Sequence, residues 1–588
     1  MAGMLNTLLS FVSYKEPENV ELGFELLEAK DEGQTESATD QAPSAVTSAP
    51  VGQPERLPIK GWKIHRMHAK PGSNCKATDA PQTLAPELCR NLAAMKQKFG
   101  MPKNADIQIR QFKIDNQVAA ALVYVEGMVD KQILNLSVLR PLMAKGTLEG
   151  LGSGSTVDYL MESVISINSI SKGNRFTHII NMVLNGDAAL LIEGSTECIL
   201  LGTRGFEKRA VDQPVTENVV NGPQEGFSEN LRTNLTLIRR IIKNEKLISE
   251  LITVGKRDNS NCAILYMEGI ANPTVIQEVK KRISRINTDL LLGSGMIEQF
   301  IEDNSFMLFP QILTTERPDR TASFLMEGQV VIIGDGTPFA LAVPVTFFRL
   351  FHTSEDSFVR WPFATFLRVI RAFGVFVATL LPGLYTAVML FHTEMIPTEL
   401  LISIASAREV VPFPSIIEVL IMEIAFELIR EGGIRVPSVI GQTLGIVGAL
   451  ILGQAAVQAG LVSPIVVIIV SITALGNFTI PNHNMALAIR VERFFFILAG
   501  ALLGLYGITI MIFLLALFAL SMKSFGVPFF SPVAPRTKIN PDVIIRYPIW
   551  EQQNRPDGIQ ALDRSRQGEN VELWIREDAG DGEAGDQR

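Results

Sequence analysis

Glu418, Glu423 and Glu427 stand in an otherwise apolar stretch. Helical spacing puts Glu423 and Glu427 on nearly the same face, with Glu418 further round. Carboxylates at membrane depth are costly, so they face a bundle interior, a cation path or an arginine partner. One reading is therefore a cation-attracting vestibule or pore wall. The other is an interfacial helix whose acids pair with Arg408, Arg430 or Arg435. Pro412 and Pro414 interrupt the helix just upstream and mark a candidate re-entrant break.

A second polar pattern follows. Gln454 and Gln458 lie one turn apart, with Gln442 three turns earlier. Around them Gly441, Gly445, Gly448 and Gly453 recur at helical spacing. Small residues let helices approach closely in lipid. Such a helix packs tightly or lines a narrow water path, and packing is the commoner use.

Other chemistry is missing from the sequence. There is no P-loop, no GxGxxG after a strand, no HExxH and no GxSxG. Cys75, Cys89, Cys198 and Cys262 lack CxxC spacing, which suggests neither a zinc site nor a disulfide framework. His352, His392 and His483 flank apolar runs without metal spacing and read as interfacial residues. No cofactor, no metal and no enzymatic activity are expected.

The elements that must position these residues come from hydrophobicity. Hydrophobic residues make up 47% of the 588, and charged residues only 19% against the usual quarter. The deficit is local. Apolar runs at about 372–391, 413–429, 439–460, 462–480 and 494–521 approach the ~20 residues that span a bilayer. Neither Pro437 to Ile489 nor Phe494 to Ser521 contains a charge. Arg349, Arg360, Arg368 and Arg371 precede or open the first run, and no secretory signal is evident, so the preceding domain is expected in the cytoplasm. Arg430, Arg435, Arg490 and Arg493 continue an in–out alternation. Lys523, Arg536, Lys538 and Arg546 then conflict with a last run that ends outside. Either 494–521 turns back within the membrane or an earlier run is re-entrant.

The preceding half reads as water-soluble. Residues 30–57 have the composition of a disordered linker, and order is expected from about Leu84. Leu122 to Gly127 resembles Leu265 to Gly269, and Leu191 to Gly194 resembles Leu325 to Gly328, which suggests two related units in tandem. A basic helix is expected from about Ser228 to Thr253, carrying Arg232, Arg239, Arg240, Lys243 and Lys246. With a net charge of −8, a solvated face or an acidic neighbouring domain is preferred there over nucleic acid.

The fold class is thus α/β plus an α-helical membrane protein: two tandem cytoplasmic α/β subdomains followed by a multi-span transmembrane helical domain. The expected boundaries are 1–83 for a disordered extension, 84–215 and 216–360 for the subdomains and 361–522 for the transmembrane part. A C-terminal cytoplasmic segment with an acidic disordered tail takes 523–588.

Longer motifs carry a resemblance. Gly334-Asp335-Gly336-Thr337-Pro338-Phe339, Phe391 to Thr398, Arg408 to Pro414, Arg430 to Pro437, Gly453 to Val457, Ser463-Pro464 and Ser524 to Pro528 occur in the order seen in the A subunits of spore germinant receptors. The chain resembles this GerA family over about 85–550. It departs at Asn221 and Ile241, where arginine is usual, and at Ser357-Phe358, where a tyrosine pair is usual.

The resemblance implies a multi-pass protein of the spore inner membrane with its N-terminal domain on the core side. It implies a transporter-like B subunit that binds the nutrient and a lipoprotein C subunit as partners. It also implies self-association into a ring, proposed to be a pentamer, that forms a nutrient-gated cation channel in the lipid bilayer. Alternatives are an A-subunit homologue encoded with the spore dipicolinate channel that amplifies germination, and a transporter or membrane scaffold without channel activity.

Overall fold

The computed structural model describes residues 82–150, 155–205, 213–435, 451–537, 542–543 and 545–568. Residues 1–81 of the expected N-terminal extension lie outside them, as do the end of the acidic tail and Gly441, Gln442, Gly445 and Gly448.

The first unit contains α1 (Leu88–Lys98), β1 (Ile107–Ile114), β2 (Val118–Val125), β3 (Ile170–Gly173), α2 (Phe176–Leu184), β4 (Ala188–Ile192) and β5 (Cys198–Leu201). Its antiparallel sheet runs β1-β2-β4-β5-β3. The central strands β4 and β5 are wholly buried and lack alternation, because both sheet faces are covered. Ala121, Val123, Ala189, Leu191 and Leu200 face α1 and α2. Their neighbours Ala120, Leu122, Leu190, Ile199 and Leu201 face the other way, onto Leu134, Val138 and Leu142. A strand period of two divides one apolar run between two cores.

The second unit repeats this plan. It contains α3 (Leu231–Ile241), β6 (Leu247–Val254), β7 (Ser260–Met267), α4 (Pro273–Ser284), α5 (Ser294–Ile301), β8 (Leu313–Thr315), α6 (Pro318–Glu327), β9 (Val330–Gly334) and β10 (Ala340–Val343). Its sheet order, β6-β7-β9-β10-β8, matches the first strand for strand. The pair Ala121↔Leu191 in one sheet corresponds to Ala263↔Ile333 in the other.

Two expectations need correction. Glu193-Gly194 follows a strand, but Glu327-Gly328 ends helix α6, where Gly328 is the left-handed cap at φ 97°. The counterpart of Glu193-Gly194 is Asp335-Gly336, after β9. Turns and helix stops both need a residue tolerant of positive φ, so Gly alone could not tell them apart. The helix expected over 228–253 stops at Ile241, and β6 begins at Leu247. Leu-Ile-Ser-Glu-Leu-Ile-Thr-Val is rich in β-branched residues and pairs along its whole length with β7.

Arg239 and Arg232 of α3 join the two units, whereas Arg240 pairs within the second. Arg239 is buried, and its Nε donates to Asp106 Oδ2 at 2.6 Å. Its Nη2 donates to Asn104 Oδ1 at 2.9 Å and to the Leu247 carbonyl at 2.7 Å. Arg232 pairs with Glu126 and Arg240 with Glu225.

The helical part contains α7 (Trp361–Phe391), α8 (Thr398–Arg408), α9 (Ser415–Arg435), α10 (Pro464–Phe478) and α11 (His483–Ser521). Among the described residues, α7 and α11 are long and apolar enough to cross a membrane, and α10 is a shorter apolar helix. Pro412 and Pro414 occupy the break between α8 and α9.

Helix α11 is a hairpin. A straight helix of its 39 residues would reach about 58 Å. Yet near its start Asn484 Nδ2 lies 3.5 Å from Glu298 Oε1, and just past its end Ser524 Oγ donates to the Gln311 carbonyl at 2.7 Å. Glu298 and Gln311 belong to the same second unit. The reversal is at Gly504, with φ 62° and ψ −145°. Leu505 N–H, freed by the turn, faces His392 Nε2 at 3.4 Å. The last apolar run therefore doubles back, and its end rejoins the α/β unit that precedes α7.

Candidate functional site

The three carboxylates of α9 form a ladder, and each rung has an arginine. Pro412 and Pro414 deny the chain a continuous helix from α8, so α9 starts afresh at Ser415. Glu418, one turn in, is fully buried. It accepts from Arg408 Nε at 3.1 Å and from the Ser463 backbone N–H at 2.9 Å. It thus ties the end of α8 and the start of α10 to α9.

Glu423 is also fully buried. Arg493 of α11 donates to it through Nη1 at 2.7 Å, and Arg493 Nε donates to the Ala378 carbonyl of α7 at 2.8 Å. Glu427 is half-buried and pairs with Arg430 one turn on and with Arg490 of α11 at 3.3 Å. Arg435 turns away and pairs with exposed Glu431 at 2.7 Å. Val419, Met422, Val466, Val470 and Ile497 wall the ladder with apolar surface. In such surroundings two paired charges are held strongly, and one left alone is expensive.

The pairing is incomplete. Glu423 Oε1 and Arg493 Nη2 are buried without a hydrogen-bond partner, as are Tyr385 Oη, Ser415 Oγ and Ser463 Oγ. The site therefore has donor and acceptor capacity in reserve.

The glutamines stand apart from the ladder. Gln454 and Gln458 are exposed, while Ala456 and Val457 between them pack toward Val419 and Met422. A Cβ added at Gly453 would meet nothing within 4 Å. Close helix approach is found elsewhere. A Cβ at Gly383 would lie 2.7 Å from the Phe496 carbonyl, and one at Gly476 2.7 Å from the Gly374 carbonyl. These glycines let α7 cross α11 and α10 backbone to backbone. Gly374 and Gly383 stand nine residues apart in α7 and Gly476 stands alone in α10, so no local repeat announces them.

Sequence reasoning named Arg408 and Arg430 among the partners and missed Arg490 and Arg493, which come from 63 and 70 residues away. It noted Asp356 only as part of a Glu355-Asp356 motif and gave it no partner. This buried carboxylate binds Arg368 at 3.0 Å and Arg371 at 2.9 Å, and so fastens the first turns of α7 to the second α/β unit. Burial alone would raise the Asp356 carboxyl, but Arg371 and Arg368 outweigh it and hold the group below the usual carboxylate range. The Thr353–Asp356 capping box, a threonine followed three residues on by an acid, was the available signal.

Comparison with known proteins gives the family. A family model described as Bacillus/Clostridium GerA spore germination protein matches residues 93–558. Spore germination protein KA of Bacillus subtilis (strain 168) is 39% identical over 495 residues, spanning 84% of this chain and 90% of that protein. Spore germination protein GerLA of Bacillus cereus is 38% identical over 471 residues, spanning 80% of this chain and 95% of that protein. The crystal structure of the N-terminal domain of the A subunit of the Bacillus megaterium spore germinant receptor GerK3 is similar at 33% identity and a TM-score of 0.37, covering 45% of this chain and 97% of that one. The chain belongs to the GerA family of spore germination proteins, the A subunits of germinant receptors.

Proposed function

We propose that this A subunit works in the spore inner membrane as part of a nutrient-gated cation channel, without enzymatic activity. The observation that carries the reading is the ladder of Glu418, Glu423 and Glu427 on one helix, each acid held by an arginine, three of them from other segments. Acids lining a path attract cations, and arginines that hold them keep the path neutral. Opening then means parting those pairs. A nutrient complex drives that change only by binding the open form better than the closed one. A transporter-like B subunit supplies the nutrient site, and a lipoprotein C subunit completes the receptor. The outward-facing Gln454 and Gln458 support a polar surface shared between copies, for which we favour a pentameric ring around the lipid-embedded path. The α/β units then face the spore core.

The same pairing favours a second reading, in which the ladder only staples helices and the chain is a scaffold. Potassium efflux separates the two. Spores carrying this chain, with and without the neighbouring B-type subunit, are exposed to a nutrient panel. Efflux that needs the B subunit and falls in Glu423→Gln supports the channel. Wild-type conductance and selectivity in Glu423→Gln removes the acid ladder from the path and leaves the staple. Slower germination on gene loss, without triggered efflux, identifies an amplifier.

A further inference from the structure

A cavity of about 340 Å³ lies where the C-terminal segment closes over the second α/β unit and the start of α7. Arg320, Arg349, Arg368, Arg546 and Arg566 line it, together with His352. Three of these arginines are neutralised within the chain. Arg320 pairs with Glu217 at 2.7 Å, Arg349 with Glu327 at 2.6 Å, and Arg368 with Asp356 at 3.0 Å and Asp542 at 2.6 Å.

Neither of the other two has a carboxylate at ion-pairing distance among the described residues, and Asp542 and Asp356 act on Arg546 only from further off. Arg566 stands exposed and donates to the neutral Gln552 Oε1 at 3.0 Å. Arg546 is only 5% exposed. Its Nη2 has one long contact, 3.5 Å to the Ser357 carbonyl, and its Nη1 has no hydrogen-bond partner. Burial holds this guanidinium below its ordinary value, with Arg368 and Arg566 acting the same way against Asp542 and Asp356. Beside it His352 Nδ1 and Ser354 Oγ are also buried and unpartnered. A buried guanidinium with an unsatisfied N–H group and no carboxylate in contact is costly unless something neutralises it.

We propose that this cavity binds a phosphate-bearing ligand, held by Arg546 inside and Arg566 at the rim. Two guanidiniums that contact no carboxylate among the described residues match the charge of one phosphate, and their planar forks suit its paired oxygens. The setting favours a phospholipid headgroup as the source. The Arg546 backbone N–H donates to Thr365 Oγ1 of α7 at 3.1 Å, so the site is stitched to the first turns of a helix apolar enough to cross a membrane. Trp361 and Phe363, close to Thr365 in the chain, and Tyr547 and Trp550, close to Arg546, are exposed. Aromatic side chains of this kind gather at headgroup level. The site is distinct from the carboxylate ladder and does not depend on how that ladder is used.

The test uses the full chain in neutral detergent. Melting is followed with inorganic phosphate against chloride at matched ionic strength, and with phosphatidylglycerol against phosphatidylcholine. A ligand that binds the folded state raises the melting temperature with its concentration. Phosphatidylglycerol is expected to stabilise more than phosphatidylcholine. Arg566→Gln, on the exposed rim, should weaken that binding on the order of tenfold, the worth of one charge-assisted hydrogen bond. Arg546→Gln should weaken it at least as much, and should not destabilise the ligand-free protein, because it removes a buried guanidinium whose Nη1 is unsatisfied. Stabilisation by inorganic phosphate as well, lost in the same variants, supports the site and makes free phosphate its source. No stabilisation by either phosphate or phosphatidylglycerol overturns the proposal. So does an equal effect of the two lipids without one of phosphate, or a response undiminished in Arg566→Gln.

Discussion

Arg493 donates to Glu423 through Nη1 across 2.7 Å, and its Nε–H reaches the Ala378 carbonyl at 2.8 Å. One guanidinium thereby joins α11, α9 and α7 at a point fully removed from solvent. The strength of such a junction lies less in the pair itself than in the cost of breaking it.

Arg493→Gln should therefore destabilise the chain by roughly 3–5 kcal/mol, because it strands the Glu423 carboxylate. The double variant Glu423→Gln with Arg493→Gln should recover most of that loss. Denaturant unfolding in detergent measures both, and additive losses from the two single changes would show that the residues are not coupled.

Gly504 lies where only glycine is at ease, and an added Cβ would stand 2.9 Å from His392 Nε2. Gly504→Ala should cost about 1–3 kcal/mol from the backbone alone. Single cysteines at Asn484 and Ser521 should react with a membrane-impermeant thiol reagent from the same side of sealed vesicles. Labelling from opposite sides would refute the hairpin.

Asp106→Asn should loosen the two α/β units from one another. Arg239 is 2% exposed and would keep its charge without its carboxylate. A loss of about 3 kcal/mol is expected, with faster proteolysis between the units. An unchanged melt with unchanged cleavage would mean that Asn104 and the Leu247 carbonyl suffice to hold Arg239.

Glu298 sets a pH dependence. Burial, and then Glu302, push its carboxyl up to about 7 from 4.5, against a hydrogen bond from Asn484. Below pH 4.5 the folded and unfolded chains are both protonated at this position. As pH rises from 4.5 to about 7 the unfolded chain ionises first, so stability falls, and the loss is complete above that window. Glu298→Gln should remove this contribution and flatten the melting temperature over the same range. A slope identical to wild type would assign the dependence to other groups.

Much of the architecture can be read along the chain. Charge-free stretches, arginines at their flanks, two β-rich units with similar strand ends and the motif string of the family are all local patterns. Hydrophobic periodicity and composition act over a few turns, which is the range a sequence displays. The three glutamates of α9 were legible for the same reason, since an acid among apolar residues needs a partner wherever it sits.

Which partner it finds is a tertiary matter. Arg490 and Arg493 reach Glu427 and Glu423 only because α11 folds back at Gly504 and crosses α7 at glycines that leave room for the backbones. The boundary between α3 and β6 was decided by pairing with β7, and the fold buried Arg546 with its Nη1 unsatisfied. Sequence alone determined that these charges and turns exist and that the chain is a GerA-family subunit. Long-range packing decided which charge meets which, because pairing energies depend on distances and burial that only the folded chain sets.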